Sequence, residues 1–196
     1  MDVGTTPRDR ILAVAAVQFA RGGFSGAQMA EIAREAGMGV GTLYKHFPSK
    51  EALYRAMVDR FLGELFRRTE AALERAGGTL AHALGAYARE AVGCVVRDPD
   101  VCRAVARETL GSRVAFRNVI GPELWERIQE HQARVAAFFA GRQGEIRPGL
   151  SPEDAAVFFL GTFWAFVEHD LNREAIDSVP GRADLVVSLV LGGMEA

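Results

Sequence analysis

Residues 24–54 read FSGAQMAEIAREAGMGVGTLYKHFPSKEALY, and the spacing within this stretch decides the fold. Two short helical patterns, about Gln28–Ala36 and Val40–Phe47, flank a turn built on Gly37 and Gly39. Two short helices joined by a tight, glycine-containing turn make a helix-turn-helix unit. Ala33 and Gly37 are four apart, so the first helix offers a surface poor in side chains where the second crosses closely. Ile32, Ala36 and Leu43 then fill the wedge, with Phe47 below. Pro48 stops the second helix, and Ser49 caps a long one whose Glu51 suits the positive end of the helix dipole.

Working outward, Pro7 opens a helix to about Arg21, with Ile11, Leu12, Ala15, Val17 and Phe19 as its apolar surface and Gly22-Gly23 closing it. Downstream, Leu53, Met57, Phe61 and Leu65 stripe the long helix, which breaks at Gly77-Gly78. Further helices are expected over about Thr79–Arg97 and from Asp98-Pro99-Asp100 to about Leu110. Another opens at Gly121-Pro122, with the seam Leu124, Ile128, His131, Val135, Phe138. Ser151-Pro152-Glu153-Asp154 combines a cap, proline and first-turn acids, and starts a helix to about Arg173. Pro180-Gly181 separates it from a last helix. No segment alternates with period two for long enough to predict a strand, so the fold class is all-α. The last two helices are apolar on more than one face, which calls for a second copy of the chain or a central place in a bundle. A homodimer is the expectation, with Phe158, Phe159, Leu185 and Leu189 at its interface.

Composition narrows the classes further. Of 196 residues, 49% are hydrophobic and 24% charged, the balance of a folded globular protein. Two cysteines without a C-x-x-C pattern exclude a disulfide scaffold. No apolar run approaches the roughly 20 residues of a membrane span. The N-terminus has no apolar leader core. A cytoplasmic protein without a membrane partner is expected. The net charge of −2 conceals a division: residues 1–55 carry seven basic against five acidic side chains, and the remainder sixteen against twenty. Both lysines of the chain, Lys45 and Lys50, fall in the quoted stretch.

That concentration points to double-stranded DNA. In a helix-turn-helix the second helix enters the major groove and offers its first residues to base edges. Here that turn holds Gly39, Val40, Gly41 and Thr42, small enough for close approach, followed by Tyr44, Lys45 and His46 for phosphates and the groove wall. Lys50 adds a cation at a helix start, where a phosphate is well placed.

The ordered motifs Ile32-Ala33 with Ala36-Gly37-Met38, Gly41-Thr42-Leu43-Tyr44-Lys45-His46-Phe47 and Lys50-Glu51-Ala52-Leu53 closely resemble the tetracycline-repressor-like (TetR) family of bacterial transcriptional regulators. Ile11-Leu12, Ala15, Phe19 and Gly22-Gly23-Phe24 match the family's first helix. The resemblance covers about residues 8–55. It implies an N-terminal three-helix DNA-binding domain over residues 1–54, and a larger helical-bundle domain over 55–196 for ligand binding and dimerisation. It further implies that Tyr44, Lys45, His46 and Lys50 contact the DNA backbone, and that Gln28, Val40, Gly41 and Thr42 lie where base or phosphate contacts are usual. Two positions depart from the pattern. Ala27-Gln28 replaces a hydroxyl-bearing pair, leaving Ser25 as the candidate cap. Gly39 replaces serine, with little loss as a cap. Val40 and Gly41 carry no hydrogen-bonding side chain, so readout leans on thymine methyls, Gln28, Thr42 and DNA shape.

By the same resemblance, the larger domain binds a small-molecule effector that changes the spacing of two DNA heads. Candidate pocket residues are Tyr87, Cys94, Trp125, His131, Phe138, Phe163, Trp164 and Phe166, apolar walls with a few polar atoms. Ordinary core is the competing reading for each aromatic. An apolar or aromatic neutral effector is expected, with the acids Glu168 and Asp170 read as exposed helix-end charges. Cys94 and Cys102 straddle Pro99 and read as small core residues, a redox pair being the alternative. The four histidines show no ligand spacing, so neither metal nor cofactor is expected. The sequence holds no P-loop, G-x-G-x-x-G or nucleophile set, which argues against an enzyme. The functional expectation is a ligand-released homodimeric repressor on a palindromic operator. The competing class is a small-molecule carrier with a degenerate DNA head.

Overall fold

The computed structural model describes residues 6–111, 113–173 and 175–194, and among these the chain forms ten α-helices, two single-turn 3-10 helices and no strand. They are α1 (Pro7–Gly26), α2 (Met29–Glu35), α3 (Val40–His46), α4 (Lys50–Arg75), α5 (Leu80–Arg97), α6 (Pro99–Gly111), α7 (Arg113–Ile120), α8 (Pro122–Ala140), α9 (Pro152–Asn172) and α10 (Val179–Met194). The all-α reading holds. Residues 1–5, on which the N-terminal expectation partly rests, lie outside the described residues. Contacts divide the chain into two compact units, Met1–Phe61 with Asp100–Trp125, and Leu62–Pro99 with Glu126–Ala196.

In the first unit, α1 begins with a reciprocal cap. Thr6 Oγ1 accepts the Asp9 amide at 3.1 Å, and the Asp9 carboxylate accepts the Thr6 amide at 3.2 Å. The expected closure at Gly22-Gly23 is a kink instead. Gly23 sits at φ 68°, ψ 179°, and the chain makes one further turn to Gly26. That backbone region is open to little but glycine. Ile11, Ala15, Phe19, Ile32, Ala33, Leu43, Leu53 and Tyr54 are wholly buried. Tyr54 packs edge-on to Phe19 and Phe24, and its hydroxyl donates to the Ala104 carbonyl. From α6, Glu108 accepts the Phe24 amide at 2.7 Å and Arg107 donates to the Arg21 carbonyl at 3.0 Å, so both ends of the kink are held.

Helix α7 is not foreseen from the sequence. Its stretch is short, and its apolar anchors reduce to a single turn, where Phe116 and Ile120 are buried. Helix α10 starts one residue earlier than Pro180-Gly181 suggests. Proline lacks the N–H that the first turn leaves unbonded, so it fits inside that turn.

In the second unit α10 packs on both α5 and α9. Tyr87, Phe139, Phe159, Phe163, Val167 and Val190 are fully buried there. Arg142 ties the loops at one end: its guanidinium donates to the Gly78 carbonyl, pairs with Glu145 and lies over the Phe138 ring. Glu145 in turn accepts the Leu80 amide at the start of α5. Asp170 corrects one expectation. It is 1% exposed, and Arg182 of α10 grips both its oxygens at 2.6 and 2.7 Å. This grip holds the Asp170 carboxyl below its ordinary range.

Candidate functional site

The helix-turn-helix is assembled from α2 and α3. The turn needs Gly37, whose φ of 69° lies in the left-handed region. There the amides of Gly37 and Met38 return to the carbonyls of Arg34 and Ala33, closing α2. Gly39 is the N-cap of α3, as the sequence indicates, while Gln28 is the N-cap of α2 and makes no side-chain capping bond. Ser25 therefore does not take over the cap: Gln28 stands at the helix start, and its carbonyl already receives the amides of Glu31 and Ile32.

Helix α3 divides cleanly by exposure. Leu43 is completely buried, with Phe47 after it at 3% exposure, whereas Val40, Gly41, Thr42, Tyr44, Lys45 and His46 all face solvent. A seven-residue helix that buries one side chain leaves almost its whole outer face free for a partner. Tyr44 stands 47% exposed and Val40 40% exposed. Tyr44 borders a concavity of about 520 Å³ that also takes in Gln28, Met29, Pro48, Ser49 and Lys50. Ser49 Oγ caps α4 by accepting the Ala52 amide at 3.1 Å. Lys50 is less free than its sequence position implies. Its ammonium donates to the Ser25 and Ala27 carbonyls at 3.2 and 3.1 Å and lies 4.9 Å from the Phe24 ring centre. An ammonium has three donors, so one remains to face the concavity.

The candidate effector residues separate into groups. Tyr87, His131 and Phe163 meet in the core of the second unit. His131 is 4% exposed and stacks on Phe66, with ring centres 4.0 Å apart. Its Nδ1 lies 2.8 Å from Glu70 Oε1 and its Nε2 2.9 Å from the Tyr87 hydroxyl. An ionised carboxylate only accepts, so Nδ1 carries the proton and Nε2 accepts from Tyr87. Burial pulls the imidazole below its ordinary pKa despite the opposing pull of Glu70, and burial pushes the Tyr87 phenol up. Arg134 also holds Glu70, at 3.0 and 3.1 Å. Trp164 packs edge-on to Phe163, while Phe166 lies under Arg182 and Phe138 under Arg142. Cys94 is a buried thiol, raised in pKa by burial, and Cys102 is buried as well; neither is in a disulfide. Trp125 belongs to the first unit, where it faces the Arg117 guanidinium.

The four candidate interface residues divide as well. Phe158, Leu185 and Leu189 are 43, 40 and 49% exposed, and Val157, which the sequence reading passed over, is 53% exposed. Phe158 lies over Gly193, where a Cβ would stand 3.2 Å from its ring, so it joins the stripe made by Leu185 and Leu189 of α10. Phe159 is turned inward, fully buried against Tyr87 and Phe139. Neighbouring helical residues point about 100° apart, so Phe158 and Phe159 cannot share a face. Glu70 and the partner of Glu108 escaped sequence reasoning. The partners of these two acids lie 61 and 84 residues away, and no local pattern announces such pairs.

Comparison with known proteins agrees with this geometry. The family model for bacterial regulatory proteins of the tetR family matches residues 11–57. The HTH-type transcriptional repressor KstR2 of Mycolicibacterium smegmatis is 36% identical over 80 residues, 41% of this chain and 39% of that protein. The nucleoid occlusion factor SlmA of Marinomonas sp. (strain MWYL1) is 21% identical over 145 residues, 74% and 73% of the two chains. The crystal structure of the transcriptional regulator FadR from Bacillus subtilis, in complex with stearoyl-CoA, superposes with a TM-score of 0.80. It is 20% identical, covering 94% of this chain and 97% of the other, a likeness of fold. The helix-turn-helix, its exposed outer face and the match over residues 11–57 agree, and over that segment the chain is similar to the bacterial regulatory proteins of the tetR family.

Proposed function

We propose that this regulator is a homodimeric repressor that binds a palindromic operator through α3 and is released by a small molecule bound in its C-terminal domain. The observation that carries the reading is the outer face of α3, six exposed residues around the single buried Leu43. In this reading residues 1–54 are the DNA-binding domain and 55–196 the effector and dimer domain. Val40 and Thr42 meet base edges, Gln28 and Gly41 lie against the DNA, and Tyr44, Lys45, His46 and the remaining donor of Lys50 take phosphates. Two heads would sit on half-sites about 34–36 Å apart, or a multiple of that. The exposed Val157, Phe158, Leu185 and Leu189 supply the apolar surface that a second copy would cover.

The effector site is proposed around Tyr87, His131 and Phe163, where a hydrogen-bonded polar chain runs through an aromatic core. Such a setting suits a largely apolar molecule with one polar group. The effector must bind the released state more tightly than the DNA-bound one, or nothing shifts. KstR2, a repressor by its name, and FadR, with its stearoyl-CoA, are consistent with this reading. The test is fluorescence anisotropy with DNA from upstream of the gene, across a salt series. Specific binding is expected, and Lys45→Ala should weaken it about equally on all sequences and reduce the salt slope by about one. Binding that is weak on every fragment, and unchanged in Lys45→Ala, would leave the carrier reading instead.

A further inference from the structure

The second unit carries a concavity of about 280 Å³ between the end of α4 and the first half of α5. Its floor is alanine: Ala72 from α4, Ala76 just past the end of α4, and Ala86 from α5. Its rim is Arg75, His82, Arg89 and Glu90. None of these residues takes part in the DNA or effector sites described above. We propose that this concavity binds a phosphate group, free or carried on a small organic molecule.

Charge is the first argument. Beyond residue 55 the chain is acidic, sixteen basic against twenty acidic side chains, so a basic rim departs from its general character. Glu90 is the one acid on the rim, and Arg68 reaches its carboxylate at 3.2 Å. Arg75 has no ion pair among the described residues. Among the described residues Arg89 pairs only with Asp184, at 3.8 Å and 87% exposed, too distant and too wet to hold it. Two of the arginines that line the concavity, Arg75 and Arg89, are thus without a firm carboxylate partner.

Geometry is the second. Each guanidinium is a planar fork of N–H donors that fits phosphate oxygens two at a time. Arg89 is already folded along its own helix, because Gly85 leaves the space: a Cβ there would stand 3.1 Å from its Nη1. The alanine floor keeps the space between the rims open. The opening, about 280 Å³, is larger than a bare ion needs.

The test is a titration of the full chain, without DNA, at constant ionic strength. Inorganic phosphate, pyrophosphate and adenosine 5′-monophosphate are the probes, with acetate as the comparison anion. Calorimetry and amide NMR shifts are the readouts. Saturable binding is expected, tighter for pyrophosphate than for phosphate, with shifts at Ala72, Ala76 and Ala86. Arg75→Ala/Arg89→Ala should lose at least tenfold in affinity, while Arg67→Ala, an exposed arginine paired with Glu64, should lose none. Nucleotide binding at least as tight as pyrophosphate assigns the site to a phosphate ester, and weaker nucleotide binding assigns it to the free anion. Binding of acetate equal to phosphate, or shifts confined to Tyr44, Lys45 and Lys50, would overturn the proposal. So would affinity retained in a double variant whose circular dichroism and unfolding midpoint match the parent.

Discussion

Replacing Gly23 by alanine tests how the first unit holds its kink. The residue sits at φ 68°, ψ 179°, where an L side chain costs on the order of 1–3 kcal/mol in backbone strain. The new Cβ would also stand 3.1 Å from Glu108 Oε1. That oxygen accepts the Phe24 amide at 2.7 Å, so it cannot withdraw without breaking the bond. Leaving a partly buried amide unpaired costs about 1–3 kcal/mol more. Together Gly23→Ala should destabilise by roughly 2–6 kcal/mol, a large part of the ~5–15 kcal/mol that domains possess. With a mid-range urea slope of about 2 kcal/mol/M, the midpoint falls by roughly 1–3 M. The assay is equilibrium urea unfolding of the single variants Gly23→Ala and Glu108→Ala and of the double variant. Glu108→Ala alone should cost about 1–3 kcal/mol. In that background Gly23→Ala should cost only the backbone part, so the two are non-additive. A Gly23→Ala cost below about 0.5 kcal/mol, within the usual range of a neutral surface change, would refute the reasoning. An equal cost in both backgrounds would refute the steric part alone.

Three further outcomes are expected. Leu43→Ala removes the one buried anchor of α3 and should cost about 2–5 kcal/mol in thermal or urea unfolding; a cost near zero would mean that α3 is not held by its core side. His131 has its pKa lowered in the fold, so the stability tied to its neutral form is complete above the ordinary value of about 6.5 and declines as pH falls toward the folded value. His131→Gln should flatten the stability–pH curve over that acid-side window, and an unchanged curve would contradict the assignment. Phe158→Glu/Leu189→Glu places two charges on the exposed apolar stripe, and sedimentation equilibrium should then read a monomer where the parent reads a dimer; a dimer in both would remove this face from the interface.

Much of the fold is legible in sequence because helices announce themselves locally. Prolines and caps at Pro7, Ser49, Thr79, Ser151 and Pro152 mark starts, and Gly37 marks the turn that the helix-turn-helix requires. Six of the eight DNA-binding candidates are legible for the same reason: they lie on one short helix whose single inward position, Leu43, follows from spacing. What escapes depends on long-range partners. Sequence near Asp170 gives no sign of Arg182 on the next helix, so a gripped, buried acid reads like an exposed one. Phe158 and Phe159 are equivalent in composition, and only the rotation of α9 separates solvent from core. Lys50 is visible as a cation at a helix start, yet the carbonyls it holds come from the end of α1.

The central claim is that α3 docks in the major groove as one of a symmetric pair. Hydroxyl-radical footprinting of the full chain on the DNA upstream of its gene tests this most directly. Two protected patches on one face of the duplex are expected, separated by about 10–10.5 base pairs or a multiple, and lost together in Lys45→Ala/Tyr44→Ala. A single patch, no protection, or protection that survives those substitutions would contradict it.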